Sequence, residues 1–164
     1  MDVQQQNYTP YYYQDELYNA IAGAETGSSK DPWIRTNYAP KGGSTAFGPV
    51  QITKTKAEDY ASRGLLSPES IAFVREVLNP MYDQFNKYGK EEKRPGYSRE
   101  YDYGGTGNFD VEKYRGAYEK LAKEMMLHDY NANRGDIPNT VKAWRSTGND
   151  ARYNQSVYKA LGPR

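Results

Sequence analysis

Apolar residues recur at helical spacing near the start of the chain. Leu17, Ile21 and Ala24 are separated by four and three residues, which places them on one face of a helix. The pattern ends at Thr26, where a segment rich in glycine, serine and proline begins. The sequence therefore predicts a helix over 14–25 with one buried stripe.

Helix-start signals precede three later apolar stripes. Each signal is a side chain that accepts a backbone hydrogen bond, followed by residues that favour a first helical turn. The signals are Ser67-Pro68-Glu69, Asp110, and Asp136 or Asn139 beside Pro138. The stripe after Asp110 is the most regular, since its apolar positions step by three and four as far as His128. Pro80 lies within the first of these stripes and predicts a kink or a break in that helix.

The remaining segments set the predicted domain organisation. Two shorter helices complete the predicted set, at 54–63 and 151–161. The segments 26–50 and 89–108 are rich in glycine, proline or charged residues and are predicted to be loops. Residues 1–13 lack helical periodicity and are predicted to form a flexible arm. The predicted fold class is mainly α, with a single domain over 14–164 and a long loop region after its first helix.

The composition changes this picture in one respect, which is the nature of the core. Leu, Ile, Val and Phe account for only 23 of the 164 residues, whereas the chain contains 17 tyrosines. With a formal net charge of +1, the chain lacks the charge imbalance that is typical of disordered proteins. We therefore expect a folded domain whose core is rich in tyrosine rings.

The composition also argues against several classes of function. With no cysteine and a single histidine, the chain offers no disulfide framework, no thiolate zinc site and little basis for a histidine metal centre. No apolar run approaches the ~20 residues of a transmembrane helix, and the first residues lack the basic and apolar regions of a signal peptide. The near-neutral net charge lacks the excess of basic residues that indicates binding to nucleic acid. We expect no metal or other cofactor, no nucleic acid and no membrane insertion.

Glu25 is the strongest candidate for chemistry. It stands about one helical turn beyond Ile21, beside the buried stripe and at the C-terminal end of the predicted helix. Poor solvation and the negative end of the helix dipole both favour the protonated form, so that we expect a raised pKa for this carboxyl group. A carboxyl group that keeps its proton near neutral pH is suited to acid catalysis of glycosidic-bond cleavage. The alternative interpretation is an ordinary exposed glutamate at the end of a surface helix.

A second candidate segment runs from Ser44 to Thr53 and places small residues and Gly48 before Gln51. Such a segment lets the backbone approach a ligand closely, while one amide side chain both donates and accepts hydrogen bonds. The alternative interpretation is a turn that leads into the next helix.

These segments resemble motifs of a known enzyme family, the lytic transglycosylases and goose-type lysozymes of the lysozyme-like superfamily. Residues 24–27, Ala-Glu-Thr-Gly, are similar to the glutamate-serine-glycine motif that closes the family's catalytic helix. Residues 48–52 resemble the glycine-leucine-methionine-glutamine motif that follows it, and the longer string 44–53 is also similar to a segment of lambda-type phage endolysins. Residues 129–135 are similar to the family's alanine-tyrosine-asparagine-alanine-glycine motif.

The resemblance implies a lysozyme-like fold and a role for each matched residue. Glu25 is the implied acid, which protonates the scissile oxygen between MurNAc and GlcNAc. Thr26 takes the place of the family serine and keeps a hydroxyl for the substrate. Gln51 corresponds to the glutamine that lines the glycan groove. Tyr130 corresponds to the motif tyrosine near the acid, and Asn131 to the residue that holds that corner together.

Other positions depart from the family pattern or extend it. Pro49 and Val50 replace leucine and methionine before the motif glutamine, and Asn133 replaces the usual glycine. The spacing between the implied acid and the glutamine is closer to that of the lambda-type enzymes, which leaves the subfamily open. Phe47 is a candidate for stacking on a sugar face, with core packing as the alternative.

The resemblance also implies a reaction, in which the C6 hydroxyl of the sugar displaces the glycosidic bond and leaves a 1,6-anhydro ring. A hydrolase would instead need a second carboxylate, ~5 Å from the acid as a nucleophile or ~6.5–9.5 Å away to hold a water. The candidates are Asp31, Asp59, Asp102 and Asp110. Asp110 fits a helix cap better, and Asp59 fits a solvated helix face. The sequence therefore favours the transglycosylase.

The predicted function is peptidoglycan cleavage by an enzyme of phage origin, acting as an endolysin or as part of the virion. The expected partners are glycan strands and, for a virion enzyme, tail or ejection proteins. The expected location is the host cytoplasm or the virion. Two alternatives stay open, namely a true lysozyme that hydrolyses the same bond and a non-catalytic structural or glycan-binding virion protein with the same fold.

Overall fold

The computed structural model describes residues 13–27, 32–34, 36–37, 46–83, 109–145 and 151–161 and is mainly helical. Its α-helices are α1 (Tyr13–Thr26), α2 (Lys54–Ser62), α3 (Pro68–Phe73), α4 (Val111–Ala132), α5 (Ile137–Arg145) and α6 (Ala151–Leu161). A helix was predicted at each of these places, and these predictions are confirmed. The predicted arm over 1–13, apart from its last residue, and the predicted loop over 89–108 lie outside the described residues.

A small antiparallel sheet begins within the segment 26–50 that was predicted to be a loop and ends just beyond it. Its strands are β1 (Thr36–Asn37), β2 (Ala46–Phe47) and β3 (Ile52–Thr53), in the order β1-β2-β3. Phe47 pairs with Ile52 across β2 and β3, so that the turn 48–51 joins the two strands as a hairpin. The prediction of an irregular loop was wrong here, because a strand of two residues is too short to show an alternating pattern.

The helix that begins at α3 continues past Pro80 without a break. Over Val74–Leu78 it widens into a π-helical turn, in which the N–H of Asn79 reaches back to the carbonyl of Val74. Helical structure then continues over 79–83. The predicted split is therefore not observed. The π-helical turn comes just before the proline. Its wider hydrogen-bond spacing suits this place, because a proline ring in a regular α-helix clashes with the carbonyl four residues earlier.

The core lies where α1 packs against α4 and α6. It combines aliphatic residues of α1 with tyrosines from the other elements, as the composition predicted. Tyr82 and Tyr118 are fully buried, as are Ile21 and Leu121. None of the described helices has the length and apolar character that would be needed to cross a membrane.

The start of α3 is fastened to α4 by a carboxylate. The Ser67 hydroxyl oxygen accepts the backbone N–H of Ser70 at 3.2 Å, as an N-cap does. Glu124 of α4 accepts the backbone N–H of Ser67 at 2.7 Å, and it accepts the hydroxyls of both serines at 2.9 Å. The helix start is therefore tied both to its own first turn and to the neighbouring helix.

We expect Ser67→Ala to lower the free energy of unfolding by about 1–2 kcal/mol, because the variant loses both the cap and a donor to a half-buried carboxylate. Urea unfolding measures this difference. Ser62→Ala is the matched control, since it removes an exposed hydroxyl that bonds the side chain of Glu58, and it should change the free energy by less than about 0.5 kcal/mol. Equal losses in the two variants would contradict the capping role.

Candidate functional site

The turn Gly48–Gln51 has a backbone geometry that proteins adopt only where the surrounding structure enforces it. The N–H of Gln51 donates to the carbonyl of Gly48 at 3.0 Å, and Pro49 occupies the position of a β-turn where proline is favoured. Gln51 itself has a φ of 53°, in the left-handed region that costs a non-glycine residue about 1–3 kcal/mol. Its side-chain amide also donates to the Gly48 carbonyl, at 3.0 Å.

Side chains from several helices hold the backbone of this turn and of its flanking strands. Each donates a hydrogen bond to one carbonyl of the segment. The donors are Thr26 to Pro49 at 2.8 Å, Tyr118 to Phe47 at 2.7 Å, Trp144 to Val50 at 3.1 Å, and Tyr82 to Ile52. Elements that are far apart in the sequence thus fix one short segment, and this anchoring explains how the strained glutamine is maintained.

Gly48 is needed at this turn for two reasons. Its φ of 85° disfavours any residue with a side chain, and a Cβ atom at this position would lie 2.5 Å from Cζ of Tyr118. The Tyr118 hydroxyl also accepts the N–H of Val50, at 3.3 Å, and burial raises the pKa of this phenol well above its ordinary value. The tyrosine therefore stays neutral and serves as a fixed support beneath the turn.

Tyr118→Phe should lower the free energy of unfolding by about 1–3 kcal/mol, because a buried carbonyl and a buried N–H lose their shared partner. The loss is measured by urea unfolding. Tyr114→Phe on the same helix is the control, since Tyr114 is half-buried and packs through its ring against Phe73 and Phe109. A Tyr118 variant as stable as the Tyr114 variant would show that the hydroxyl does not hold the turn.

Glu25 lies half-buried in the last turn of α1, directly before the residue that contacts the Gly48–Gln51 turn. That residue, Thr26, is 4% exposed, and its hydroxyl lies 2.8 Å from the Pro49 carbonyl and 3.2 Å from that of Ala22. The structure thus places the Thr26 hydroxyl in a contact that joins the helix end to the turn. This contact therefore joins α1, which carries the implied acid Glu25, to the turn that carries Gln51.

Phe47 lies in the core rather than on a surface. Its side chain is 1% exposed, and the rings of Trp33, Phe109 and Tyr118 surround it with centroids 4.9–6.4 Å away. A ring enclosed in this way has no face to offer to a sugar. The core alternative for Phe47 therefore fits the structure, and the residue supports the turn from below.

Tyr130 and Asn131 lie in the last turn of α4. Tyr130 is 7% exposed, and its carbonyl accepts the N–H of Gly135 at 2.9 Å, while that of Asn131 accepts the N–H of Arg134 at 3.0 Å. Arg134 and Gly135 both have positive φ values, of 54° and 77°. The end of the helix is thus closed by a defined turn that keeps both motif residues in place.

An ion pair between a largely covered lysine and a buried aspartate connects α2 to the end of α4. The ammonium group of Lys56 lies 2.9 Å from Oδ2 of Asp129, whose side chain is 5% exposed, and the Tyr60 hydroxyl donates to the other carboxylate oxygen. Burial lowers the pKa of Lys56, an effect that the neighbouring carboxylate opposes. Burial, together with the hydrogen bond to the carboxylate, raises the pKa of Tyr60.

Sequence reasoning missed this cluster. Lys56 stands in a polar helix where nothing in the pattern separates it from Lys54, which is more exposed and pairs with Asp83 on the surface. The one available signal was Asp129, which stands four residues beyond Met125 and so lies on the apolar face of α4, where burial of a carboxylate requires a partner.

Two of the candidate second carboxylates have other roles in the structure. Asp59 is exposed and pairs with Arg63 one turn later, at 3.2 Å, which agrees with a solvated helix face. Asp110 is the N-cap of α4, and its carboxylate accepts the N–H of Lys113 at 3.1 Å. Asp31 and Asp102 lie outside the described residues.

Comparisons with protein-family models, with curated proteins and with solved structures find no match to this chain.

Proposed function

We propose that this protein cleaves the bond between MurNAc and GlcNAc in peptidoglycan as a lytic transglycosylase, with Glu25 as its acid and base. The observation that carries the proposal is the contact between the Thr26 hydroxyl and the Pro49 carbonyl. It joins the helix end that bears the half-buried residue Glu25 to the strained turn that bears the Gln51 amide. These are two of the three motifs on which the family resemblance depends. The lysozyme-like fold is part of the same proposal.

In the proposed reaction, Glu25 carries out two proton transfers. The carboxyl group first gives its proton to the glycosidic oxygen as the bond from that oxygen to C1 of MurNAc breaks. The C6 hydroxyl of the same MurNAc then forms a bond to C1, and its proton passes to the Glu25 carboxylate. The products are a GlcNAc hydroxyl and a 1,6-anhydro-MurNAc end. The enzyme returns to its starting protonation state, and no water is consumed.

The turn and the end of α4 supply the proposed glycan groove. Gln51 is 8% exposed, and its amide donates to the Gly48 carbonyl. In the proposal the same amide meets the sugar, to which it can both donate and accept, and the fixed geometry of the turn keeps it from having to reorganise when the substrate binds. Tyr130, with Asn131 beside it, is proposed as the opposite wall of the groove, as the family resemblance implies. Thr26 and Phe47 act in this scheme by holding the turn rather than by touching the sugar.

A transglycosylase is preferred to a lysozyme because the described candidate carboxylates are used elsewhere. Asp59 is engaged in a surface ion pair, and Asp110 caps a helix. A hydrolase needs a second carboxylate beside the acid, whereas an intramolecular attack by the sugar hydroxyl does not. A phage origin, a place in the host cytoplasm or the virion, and tail or ejection proteins as partners belong to the same proposal, which the resemblance to phage endolysins supports.

Incubation with purified, dye-labelled sacculi tests whether the protein cleaves at all. The proposal predicts release of soluble labelled fragments in proportion to enzyme concentration. Binding to sacculi without any release would favour the alternative of a non-catalytic glycan-binding protein, and neither binding nor release would overturn the proposal altogether.

A further inference from the structure

The ammonium group of Lys56 lies at the junction of three helices. It bonds the carboxylate of Asp129 in α4 at 2.9 Å and the carbonyl of Ala143 in α5 at 3.2 Å. It also lies 4.4 Å from the centre of the Trp144 ring and 5.5 Å from that of Tyr60. Its side chain is 17% exposed, so that a charge on α2 is largely withdrawn from water.

These contacts surround the ammonium group of the lysine with hydrogen-bond acceptors and aromatic rings. Two of its N–H groups face oxygen acceptors and its charge faces two aromatic rings, which is a favourable arrangement for a cation. A lysine held in this way is poorly placed to act as a nucleophile or to contact a substrate directly. Lys56 can therefore influence a reaction only through the position of the residues that it contacts.

The residues that Lys56 contacts are connected to both walls of the proposed groove. Asp129 directly precedes Tyr130 in α4. Trp144, which stacks under the lysine, donates its indole N–H to the Val50 carbonyl in the turn that ends at Gln51. The ion pair is thus one contact away from each of the two elements that have to face each other across a glycan strand.

A buried ion pair fixes the relative position of two elements more reliably than it raises the free energy of unfolding. Withdrawing both charges from water costs about as much free energy as their attraction returns, and an apolar pair of similar volume is often equally stable. The fixed directions of the hydrogen bonds, however, define the distance between the elements that carry them. The pair is therefore well suited to set a spacing.

We propose that Lys56 is a positioning residue, which together with Asp129 sets the spacing between the Gly48–Gln51 turn and the Tyr130–Asn131 end of α4. This inference rests on the proposed function, because its consequence is the rate at which a bound glycan strand is cleaved.

The test is the double variant Lys56→Met/Asp129→Asn, which removes both charges while keeping the side-chain volumes and an oxygen acceptor for Tyr60. We expect its melting temperature to stay close to that of the wild type. The maximum rate of fragment release from sacculi should fall by about 10²-fold, as expected when reacting groups are displaced by about 1 Å. The half-saturating concentration of sacculi should change little, because every residue proposed to contact the glycan is retained and the displacement acts mainly on the alignment of the reacting bond with Glu25.

Lys54→Met/Asp83→Asn is the matched control. It makes the same chemical change in the neighbouring, solvent-exposed pair, which is also 2.9 Å long, and it should leave the maximum rate at the wild-type value. If the Lys56 double variant fails to fold, Asp129→Glu replaces it. That variant keeps both charges but lengthens the acidic side chain by one methylene, and a folded Asp129→Glu protein should show the same selective loss of maximum rate.

The outcomes separate the two proposals. A wild-type protein that cleaves sacculi, with a folded Lys56 double variant or Asp129→Glu variant that cleaves them at the same maximum rate, overturns the positioning role and leaves the proposed function intact. A wild-type protein that cleaves nothing overturns the proposed function and the positioning role with it. A loss of maximum rate at constant half-saturation supports both.

Discussion

Replacing Glu25 with glutamine is expected to lower fragment release from sacculi by about 10²–10⁴-fold, the range that a positioned general acid contributes. Glutamine has nearly the volume of glutamate and keeps hydrogen-bonding capacity, but it cannot give up or take a proton at neutral pH. In the proposed reaction both proton transfers pass through this side chain, so that no other step compensates for its loss. Initial rates of dye release from purified sacculi measure the effect.

Glu16→Gln is the matched control for this variant, because it makes the same change at an exposed position on the same helix. It should cleave at the wild-type rate. The melting temperature and the binding of sacculi in a pull-down should be unchanged in the Glu25 variant, since the proposed groove is formed by other residues. A Glu25→Gln protein that cleaves as fast as the wild type would remove Glu25 from the mechanism and leave the resemblance as ancestry alone.

The second large effect is expected for Gly48→Ala, which should lower the free energy of unfolding by about 2–5 kcal/mol. A positive φ costs a residue with a Cβ about 1–2 kcal/mol, and crowding against the buried Tyr118 ring adds about 1–3 kcal/mol. The Tyr118 ring is fully buried and cannot move aside easily. Because a shift of the turn moves Gln51, the folded fraction of this variant should also release fragments more slowly. Urea unfolding and dye release measure the two effects.

Substitutions at two other glycines separate the cost of the positive φ from the cost of crowding against Tyr118. Gly64 has a φ of 70°, and a Cβ atom added there would meet open space, so Gly64→Ala should cost only the conformational term of about 1–2 kcal/mol. Gly116 lies exposed within α4, where an added Cβ atom would also meet open space, and Gly116→Ala should stabilise the helix by about 0.5–1 kcal/mol. If the Gly48 variant loses no more than the Gly64 variant, the close approach of Tyr118 does not constrain the turn.

The helices were predictable because each carries its own local signal. The spacing of Leu17 and Ile21 in α1, the proline and the cap at the start of α3, and the Asp110 cap of α4 all act within a few residues of the structure that they specify. The burial of tyrosine rings was predictable from composition alone, since the chain has too few aliphatic residues to form a core without them.

The contacts that assemble the site were not predictable, because they join residues that are distant in the sequence. Nothing local distinguishes a threonine whose hydroxyl faces a substrate from Thr26, whose hydroxyl bonds the Pro49 carbonyl. Phe47 has the same appearance in the sequence whether it faces a sugar or the Tyr118 ring. Lys56 could be recognised as largely covered only after α2, α4 and α5 were placed together.

The central claim is that Glu25 and the Gly48–Gln51 turn form a site that cleaves glycan strands without water. Mass spectrometry of purified peptidoglycan digested by the protein, with the Glu25→Gln variant in parallel, tests it most directly. The account predicts muropeptides that end in 1,6-anhydro-MurNAc, formed by the wild type and missing from the variant digest. Muropeptides with reducing ends, heavier by one water, would contradict the transglycosylase and indicate a lysozyme whose second carboxylate has to be sought, beginning with Asp31.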